Sequence, residues 1–153
     1  IRGGAFVNAS TGNITSGVID IFNNQGIFAA LKDDGSIVSW GVPPTYAFSP
    51  ASNSDFVSVY NTRIALVAVK NDGSAYAWGK DAAAGPSAGI LTELESGVVN
   101  IFSTTEAFSV LKSNGSLFSW GSTTQGGDSS SQNLTNVLDV QSSATSFSAV
   151  AID

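Results

Sequence analysis

Apolar and polar residues recur in the same order along the whole chain. The segments VIDIFNNQGIFAALKDDGSIVSWG, FVSVYNTRIALVAVKNDGSAYAWG and VVNIFSTTEAFSVLKSNGSLFSWG begin at Val18, Phe56 and Val98. A fourth, shorter copy, VLDVQSSATSFSAVAID, runs from Val137 to Asp153. One aliphatic residue near the start of each copy marks the repeat, and successive ones lie 38, 42 and 39 residues apart: Ile21, Val59, Ile101 and Val140. A repeat that persists through linkers of different length indicates tandem structural units.

Each repeat predicts three antiparallel strands. Val18, Asp20 and Phe22 alternate with Ile19 and Ile21, which predicts a first strand with two different faces. Two further apolar segments flank an Asp-Gly or Asn-Gly dipeptide, which favours a two-residue type I′ hairpin with positive φ at both central residues. The turn residues are Asp34 and Gly35, Asp72 and Gly73, and Asn114 and Gly115.

The repeats predict an all-β fold of β-propeller-type tandem repeats with antiparallel blades, three complete and a fourth one split. The chain is expected to form one module, 1–153, with repeats at about 1–41, 42–79, 80–121 and 122–153. The linkers predict at most a short fourth strand and, at 81–84 and 91–95, helices no longer than a turn. Three tryptophans hold the same phase, which indicates a structural position between blades: Trp40, Trp78 and Trp120.

The segments LKDDGSIVSWG, VKNDGSAYAWG and LKSNGSLFSWG resemble the repeats of the regulator of chromosome condensation family. They are more similar still to the shorter repeats of the propeller-type, secreted bacterial beta-lactamase inhibitory protein. The resemblance covers essentially the whole chain and implies a propeller of the kind that has seven blades. The nuclear exchange-factor repeats carry a His before the second strand and a Gly-Gln-Leu-Gly-like stretch after the Trp-Gly. Both features are missing here, so the resemblance does not extend to exchange activity.

The amino-acid composition excludes several classes of functional site. The 153 residues include no His and no Cys, which excludes imidazole and thiolate chemistry, and we predict no catalytic residue, cofactor or metal site. The Asp and Asn residues of the turns are explained by turn chemistry, because the ligand spacing of a calcium loop is absent. A net charge of −6 disfavours nucleic-acid binding. No apolar run reaches the length of about 18 residues that membrane insertion requires.

Protein partners and glycan remain as candidates. The sequons at Asn8, Asn13 and Asn133 lie in polar linkers and are candidate glycosylation sites, whereas the sequon at Asn114 lies in a tight turn. Tyr46 and Phe48, in one of the two longest linkers, are candidate interface anchors because aromatic side chains dominate protein interfaces. Packing of that linker on its own blade is the alternative.

The ends of the chain divide one repeat. Asp153 stands where the next hairpin turn is expected, and Ile1 stands where a third strand begins. Three alternatives follow: the chain is part of a longer tandem array, it forms a closed four-blade ring, or its split blade pairs with that of the next chain. Ile1 and the apolar edge from Phe147 to Ile152 are candidate interface residues for such pairing.

These observations favour a non-enzymatic, extracellular or cell-surface structural module that builds a surface or filamentous assembly by end-to-end strand completion. A protein-binding propeller module, such as a secreted enzyme inhibitor, is the alternative. A guanine-nucleotide exchange factor is disfavoured by the missing His pattern and the acidic charge.

Overall fold

The structure, a computed structural model, describes residues 14–41, 48–80, 88–129 and 134–152. These residues form four antiparallel sheets, each built from strands that are consecutive in the sequence. The strands are β1 (Val18–Asn23), β2 (Ile27–Lys32) and β3 (Ile37–Gly41) in sheet 1; β4 (Phe56–Asn61), β5 (Ala65–Lys70) and β6 (Ala75–Gly79) in sheet 2; β7 (Val98–Ser103), β8 (Ala107–Lys112) and β9 (Leu117–Gly121) in sheet 3; and β10 (Val137–Ser142) and β11 (Phe147–Ala151) in sheet 4. The predicted all-β fold of antiparallel tandem repeats is confirmed, and the described residues contain no fourth strand in any sheet.

The linker between sheets 2 and 3 contains a seven-residue helix, α1 (Ala88–Leu94). It overlaps the short helix expected at 91–95, but it is longer than one turn, so the predicted upper limit is wrong. Ile90 and Leu94 lie one turn apart and pack on the core beneath them, and this tertiary packing stabilises the second turn. The second expected helix, at 81–84, lies outside the described residues. A 3-10 helix, Thr123–Gln125, follows sheet 3.

The first strand of every sheet contains a β-bulge that the simple alternation did not predict. The register shifts between the first and third residues, as between Phe56 and Ser58 in β4. The buried positions are therefore the first and the fourth, Phe56 and Val59, instead of alternate residues. In β1 the Asp20 carboxylate accepts a hydrogen bond from the amide of Ile21 (2.8 Å), which holds the bulge in shape.

The hairpin turns between second and third strands differ from the predicted type I′. In sheet 1 the amide of Gly35 donates to the carbonyl of Lys32 (3.0 Å), and the amide of Lys32 donates to the carbonyl of Ser36 (2.9 Å). The loop therefore has three residues, and within it only Gly35 has a positive φ, 73°. This is the three-residue hairpin in which a left-handed glycine follows the turn. The Asp34 carboxylate accepts hydrogen bonds from the amide and hydroxyl of Ser36 (2.9 and 2.5 Å). These local hydrogen bonds stabilise the turn without a positive φ at Asp34.

The hydrophobic core lies between neighbouring sheets. The middle strand β5 divides its side chains by alternation: Leu66 and Ala68 point towards sheet 1, whereas Ala65 and Val67 point towards sheet 3. The cluster between sheets 1 and 2 contains Ile27, Ala29, Leu31, Ile37, Phe56, Val59, Leu66, Ala68 and Trp78. The cluster between sheets 2 and 3 contains Ala65, Val67, Val69, Leu94, Val98, Ile101, Phe108, Val110 and Trp120. A smaller cluster between sheets 3 and 4 contains Leu117, Val137 and Val140.

Two backbone hydrogen bonds join each pair of neighbouring sheets, one near each end of the first strand. At the hairpin end, the glycine carbonyl of one sheet accepts the amide that opens the next sheet: Gly35 from Phe56 (3.0 Å), Gly73 from Val98 (2.8 Å) and Gly115 from Val137 (2.9 Å). At the opposite end the bonds run in series, from the amide of Gln25 to the carbonyl of Arg63 (3.2 Å), from Arg63 to Thr105 (2.9 Å) and from Thr105 to Ala144 (2.9 Å). We call each packed and hydrogen-bonded contact between neighbouring sheets a junction.

Candidate interaction surfaces

The side of sheet 1 that points away from sheet 2 is partly exposed: Ala30 and Val38 on this side are buried, whereas Ile21 and Phe28 are exposed. At the three junctions the fourth residue of the first strand packs on the preceding sheet and is buried, with exposures of 6% for Val59, 3% for Ile101 and 1% for Val140. Ile21 occupies the same position in β1 and is 58% exposed. Its neighbour Ile19 is not a comparable case, because its counterparts in the other sheets are exposed as well.

Two aromatic residues extend the exposed part of this side. Phe28 and Trp40 stack with ring centroids 5.5 Å apart and an interplanar angle of 10°. Their counterparts in sheet 3, Phe108 and Trp120, are also in contact, at 5.3 Å, but both are buried against sheet 2. Phe28 is exposed and Trp40 is half-buried. We call the surface formed by Ile21, Phe28 and Trp40 the leading face.

Sheet 4 has a matching uncovered side, which we call the trailing face. Val150 pairs with Asp139 in the register that Leu31 and Val69 occupy in sheets 1 and 2. Leu31 and Val69 are 3% and 8% exposed, whereas Val150 is 60% exposed. Ser148, the neighbouring position on that side of β11, is exposed as well.

The series of junction hydrogen bonds also stops at the two faces. The carbonyl of Gln25 has no donor among the described residues, although the equivalent carbonyls of Arg63 and Thr105 each accept an amide. At the other end, the amide of Ala144 has no acceptor within the same described ranges. The leading face thus ends in an acceptor and the trailing face in a donor of the same repeating bond.

The three tryptophans occupy equivalent positions but different surroundings. Trp78 and Trp120 are buried at junctions, and the indole Nε1 of Trp78 donates to the hydroxyl of Ser39 in the preceding sheet (3.2 Å). Trp40 has no preceding sheet in the described structure and forms part of the leading face. The repeat-core position is therefore a junction position, and its burial depends on the neighbouring sheet.

Among the predicted interface residues, Phe48 lies against sheet 2. Its ring contacts Trp78, Tyr76 and Phe56 at centroid distances of 4.8, 5.5 and 5.6 Å. Phe147 is partly buried on the cluster between sheets 3 and 4 and lines a cleft of about 330 Å³. Ile152 is exposed. The candidates Ile1, Tyr46, Asn8, Asn13 and Asn133 lie outside the described residues.

Two carboxylates with a lowered pKa lie in the hairpin turns. Hydrogen bonds from the hydroxyl and then the amide of Ser36 hold the pKa of Asp34 below its ordinary value of 3.8. The hydroxyl and amide of Ser74 lower the pKa of Asp72 in the same way. Both carboxylates are fully exposed, and their partners are their own turn residues, which is the arrangement of a structural turn.

Ion pairs support individual contacts. Arg63 pairs with Glu106 across the junction between sheets 2 and 3; because the arginine is half-exposed, such a pair contributes at most about 1 kcal/mol. The Lys112 Nζ lies 3.3 Å from the Glu93 Oε2 and ties β8 to α1. Within the described ranges, no three Asp or Glu residues gather as metal ligands, and no helix has the length and apolarity to cross a membrane.

Sequence reasoning missed two repeating positions. The residue before each first strand has a positive φ in all four sheets: Gly17 (72°), Asp55 (65°), Gly97 (69°) and Asn136 (54°). The turn after each first strand begins with a side-chain oxygen that accepts the amide three residues later: Asn24, Thr62, Thr104 and Ser143. Aligned repeats carry both signals, since Gly, Asp and Asn tolerate the left-handed region and Asn, Thr and Ser cap turns.

Comparison with known proteins finds no matching family model and no matching curated protein. Solved structures do match. Prp20p from Saccharomyces cerevisiae, the yeast regulator of chromosome condensation, which binds Gsp1p and histones, superposes with a TM-score of 0.53 at 18% identity. The superposition covers 89% of this chain and 37% of Prp20p.

Two receptor kinase ectodomains match as well. The ectodomain of CR4 from Physcomitrella patens gives a TM-score of 0.50 at 17% identity and covers 71% of this chain and 31% of that one. The CRINKLY WD40 ectodomain of ACR4 from Arabidopsis thaliana gives 0.50 at 14% identity and covers 74% and 39%. The chain therefore spans between 31% and 39% of the length of these structures, and the likeness establishes a propeller-type fold of the kind found in the regulator of chromosome condensation.

Proposed function

We propose that this chain is a non-enzymatic structural repeat module that joins further sheets of the same type through its leading and trailing faces. The observation that carries the proposal is the exposure of Ile21, whose equivalents are buried at all three junctions. An apolar, aromatic sheet face of this kind is the surface a neighbouring sheet covers elsewhere in the same molecule.

The two faces complement each other. A second copy that placed its leading face on the trailing face of the first would bury Ile21 and Phe28 near Val150. It would also bring the Ala144 amide of one copy to the Gln25 carbonyl of the other, which repeats the internal series of bonds. Such a contact is head-to-tail, so it produces rings where the rotation closes and filaments where it does not.

The test is the assembly state of the full 153-residue chain. It is measured by sedimentation velocity and negative-stain imaging across a concentration series. We expect concentration-dependent assembly that Ile21→Asp abolishes, because an unpaired carboxylate at a buried junction is costly. Ile19→Asp is the matched control, since the neighbouring isoleucine is exposed in every repeat and lies outside the junctions. A chain that stays monomeric throughout, or that loses assembly equally with both variants, contradicts the proposal.

An extracellular or cell-surface setting belongs to the same proposal. It is supported by the two receptor ectodomains among the similar structures and by sequons at Asn8, Asn13 and Asn133. Occupied sequons on the chain purified from its native source, measured by intact mass before and after glycosidase treatment, would support that setting.

A protein-binding propeller module, such as a secreted enzyme inhibitor, is the second candidate. It is supported by Prp20p, a structurally similar propeller that binds the proteins Gsp1p and histones. A monomeric chain that captures a soluble partner would favour this function over the structural one. Nucleotide exchange on a small GTPase ranks below both, because the sequence departs from the exchange-factor repeat.

A further inference from the structure

The outer edges of the third strands differ between the sheets. In sheet 1 the side chain of Asn53 takes the place of a neighbouring strand: its Oδ1 accepts the amide of Ile37 (2.8 Å) and its Nδ2 donates to the carbonyl of Ile37 (2.9 Å). In sheet 3 the amide of Leu117 donates to the carbonyl of Leu134 (2.9 Å), and the amide of Ser119 donates to the hydroxyl of Ser129 (3.0 Å). Both edges are thus hydrogen-bonded by the chain itself.

The outer edge of sheet 2 has no such partner among the described residues. The amide of Lys70 donates to the carbonyl of Ser74 (2.8 Å), and ladder bonds then alternate along β6, so the backbone groups of Ala75 and Ala77 point away from β5. Ala75 and Ala77 are the equivalents of Leu117 and Ser119 by register. No described residue hydrogen-bonds to these two backbone positions from the open side. We call this side of the strand the β6 edge.

A cleft lies directly beside the β6 edge. Glu95 stands two residues before the left-handed Gly97, as Asn53 and Leu134 stand before Asp55 and Asn136. Its amide, however, donates to the carbonyl of Thr92 (3.2 Å) at the end of α1, so the backbone at this point follows the helix. The space left between helix and strand measures about 350 Å³. That volume is within the range of about 300–1,000 Å³ typical of binding pockets.

The walls of the cleft are mostly apolar. They include Ala75, Tyr76 and Ala77 on the strand side and Leu91 and Leu94 on the helix side. Leu91 is exposed although it is a large aliphatic residue, whereas Leu94 belongs to the core. Glu95 stands at the rim as an exposed carboxylate. The cleft therefore combines strand groups to which no described residue hydrogen-bonds, aliphatic surface, a positive charge from Lys70 and a negative charge from Glu95.

We propose that the β6 edge binds an extended peptide segment of another protein by strand addition. The backbone of the peptide would hydrogen-bond to Ala75 and Ala77, and alternate aliphatic side chains would contact Leu91 and Tyr76. Lys70 and Glu95 both line the cleft, so the site carries one charge of each sign, and the backbone and aliphatic contacts select the segment. The occupied edges of sheets 1 and 3 show the hydrogen-bonding pattern that the peptide completes.

Amide hydrogen exchange of the free full-length chain is the first measurement. We expect the amides of Ala75 and Ala77 to exchange rapidly and those of Ile37, Leu117 and Ser119 to be protected. Slow exchange at Ala75 and Ala77 in the free chain would show that the chain covers this edge itself and would overturn the proposal. Protection that appears only as the chain is concentrated would identify a second copy as the occupant, which also overturns it.

The probe is a blocked heptapeptide, KVTVTVK, titrated into the chain with the same readout. Two matched peptides carry N-methyl groups either on all valines or on all threonines. A strand uses the amides of alternate residues on each side, so strand addition requires that one methylated peptide binds and the other does not. Equal binding of both, or no protection of Ala75 and Ala77 by the parent peptide, contradicts the proposal.

Variants of the chain complete the test. Ala77→Pro removes an edge amide without removing a ladder bond to β5, and we expect about tenfold weaker peptide binding. Leu91→Asp changes the helix side of the cleft and replaces the proline variant if the proline disturbs the fold. It should weaken peptide binding by a similar factor. Val99→Asp, at an equally exposed aliphatic position of β7 outside the cleft, is the control and should bind like the parent chain. Loss of binding in the control, or none in the variants, argues against this edge.

Discussion

The junction between sheets 2 and 3 and the leading face of sheet 1 present the same residues in opposite environments. Phe108 and Trp120 are buried at the junction with an interplanar angle of 33°, whereas Phe28 and Trp40 stack at 10° on the leading face, where Phe28 is exposed and Trp40 is half-buried. The sheets are alike in register and in their bulges. Ala30 and Val38 on the same side of sheet 1 are buried, but Ile21 and Phe28 are exposed where their counterparts at the junctions are not. The burial of these positions therefore depends on a neighbouring sheet, and the stability of each repeat depends on its neighbours.

Replacing the two phenylalanines gives the largest expected effect. Phe108→Ala empties a fully buried site and should lower the free energy of unfolding by about 3–5 kcal/mol. Phe28→Ala removes a partly exposed ring and one stacking partner, so we expect a loss of about 1 kcal/mol. Urea unfolding at low chain concentration measures both. Equal losses would show that the leading face is covered in solution and would remove the contrast between the two regions.

The repeat predicted the sheets because the same apolar spacing occurs four times, but it did not predict which faces are covered. Ile21, Val59 and Ile101 are alike in sequence, and only the arrangement of whole sheets distinguishes an exposed from a buried member. The bulge was missed because it depends on local capping by residues such as Asp20 and Asn100, which interrupts a two-residue period. The β6 edge depends on where α1 lies beside the strand, and the composition of that segment does not specify its position.

The turns that follow β7 and β10 offer a smaller contrast. The Thr104 hydroxyl is buried; it accepts the amide of Ala107 (3.0 Å) and donates to the carbonyl of Gln125 (3.0 Å). Thr104→Val should therefore cost about 1–3 kcal/mol, because both partners lose their hydrogen bonds. Ser143 caps the equivalent turn of sheet 4 on the open side, where water replaces its hydroxyl, and Ser143→Ala should cost about 0.5 kcal/mol or less. Thermal unfolding of the two variants compares the two losses of stability. Equal decreases in Tm would indicate that the sheet 4 turn is covered.

The smallest expected effect concerns the turn that positions the Gly73 carbonyl at the junction with sheet 3. The pKa of Asp72 is lowered by Ser74, so its contribution to stability is present above the ordinary pKa of 3.8 and is lost as the pH falls through the lower folded-state value. Asp72→Asn should leave the fold intact, because Asn114 forms the same turn in sheet 3 and accepts the amide of Ser116 (3.0 Å). It should also reduce the fall in Tm between about pH 5 and pH 2. Asp34→Asn, at the sheet 1 turn, should add a similar increment, since the Ser36 hydrogen bonds are equivalent. An unchanged acid profile in the double variant would mean that these turn bonds persist in the unfolded chain, because only a pKa difference between the two states makes stability depend on pH.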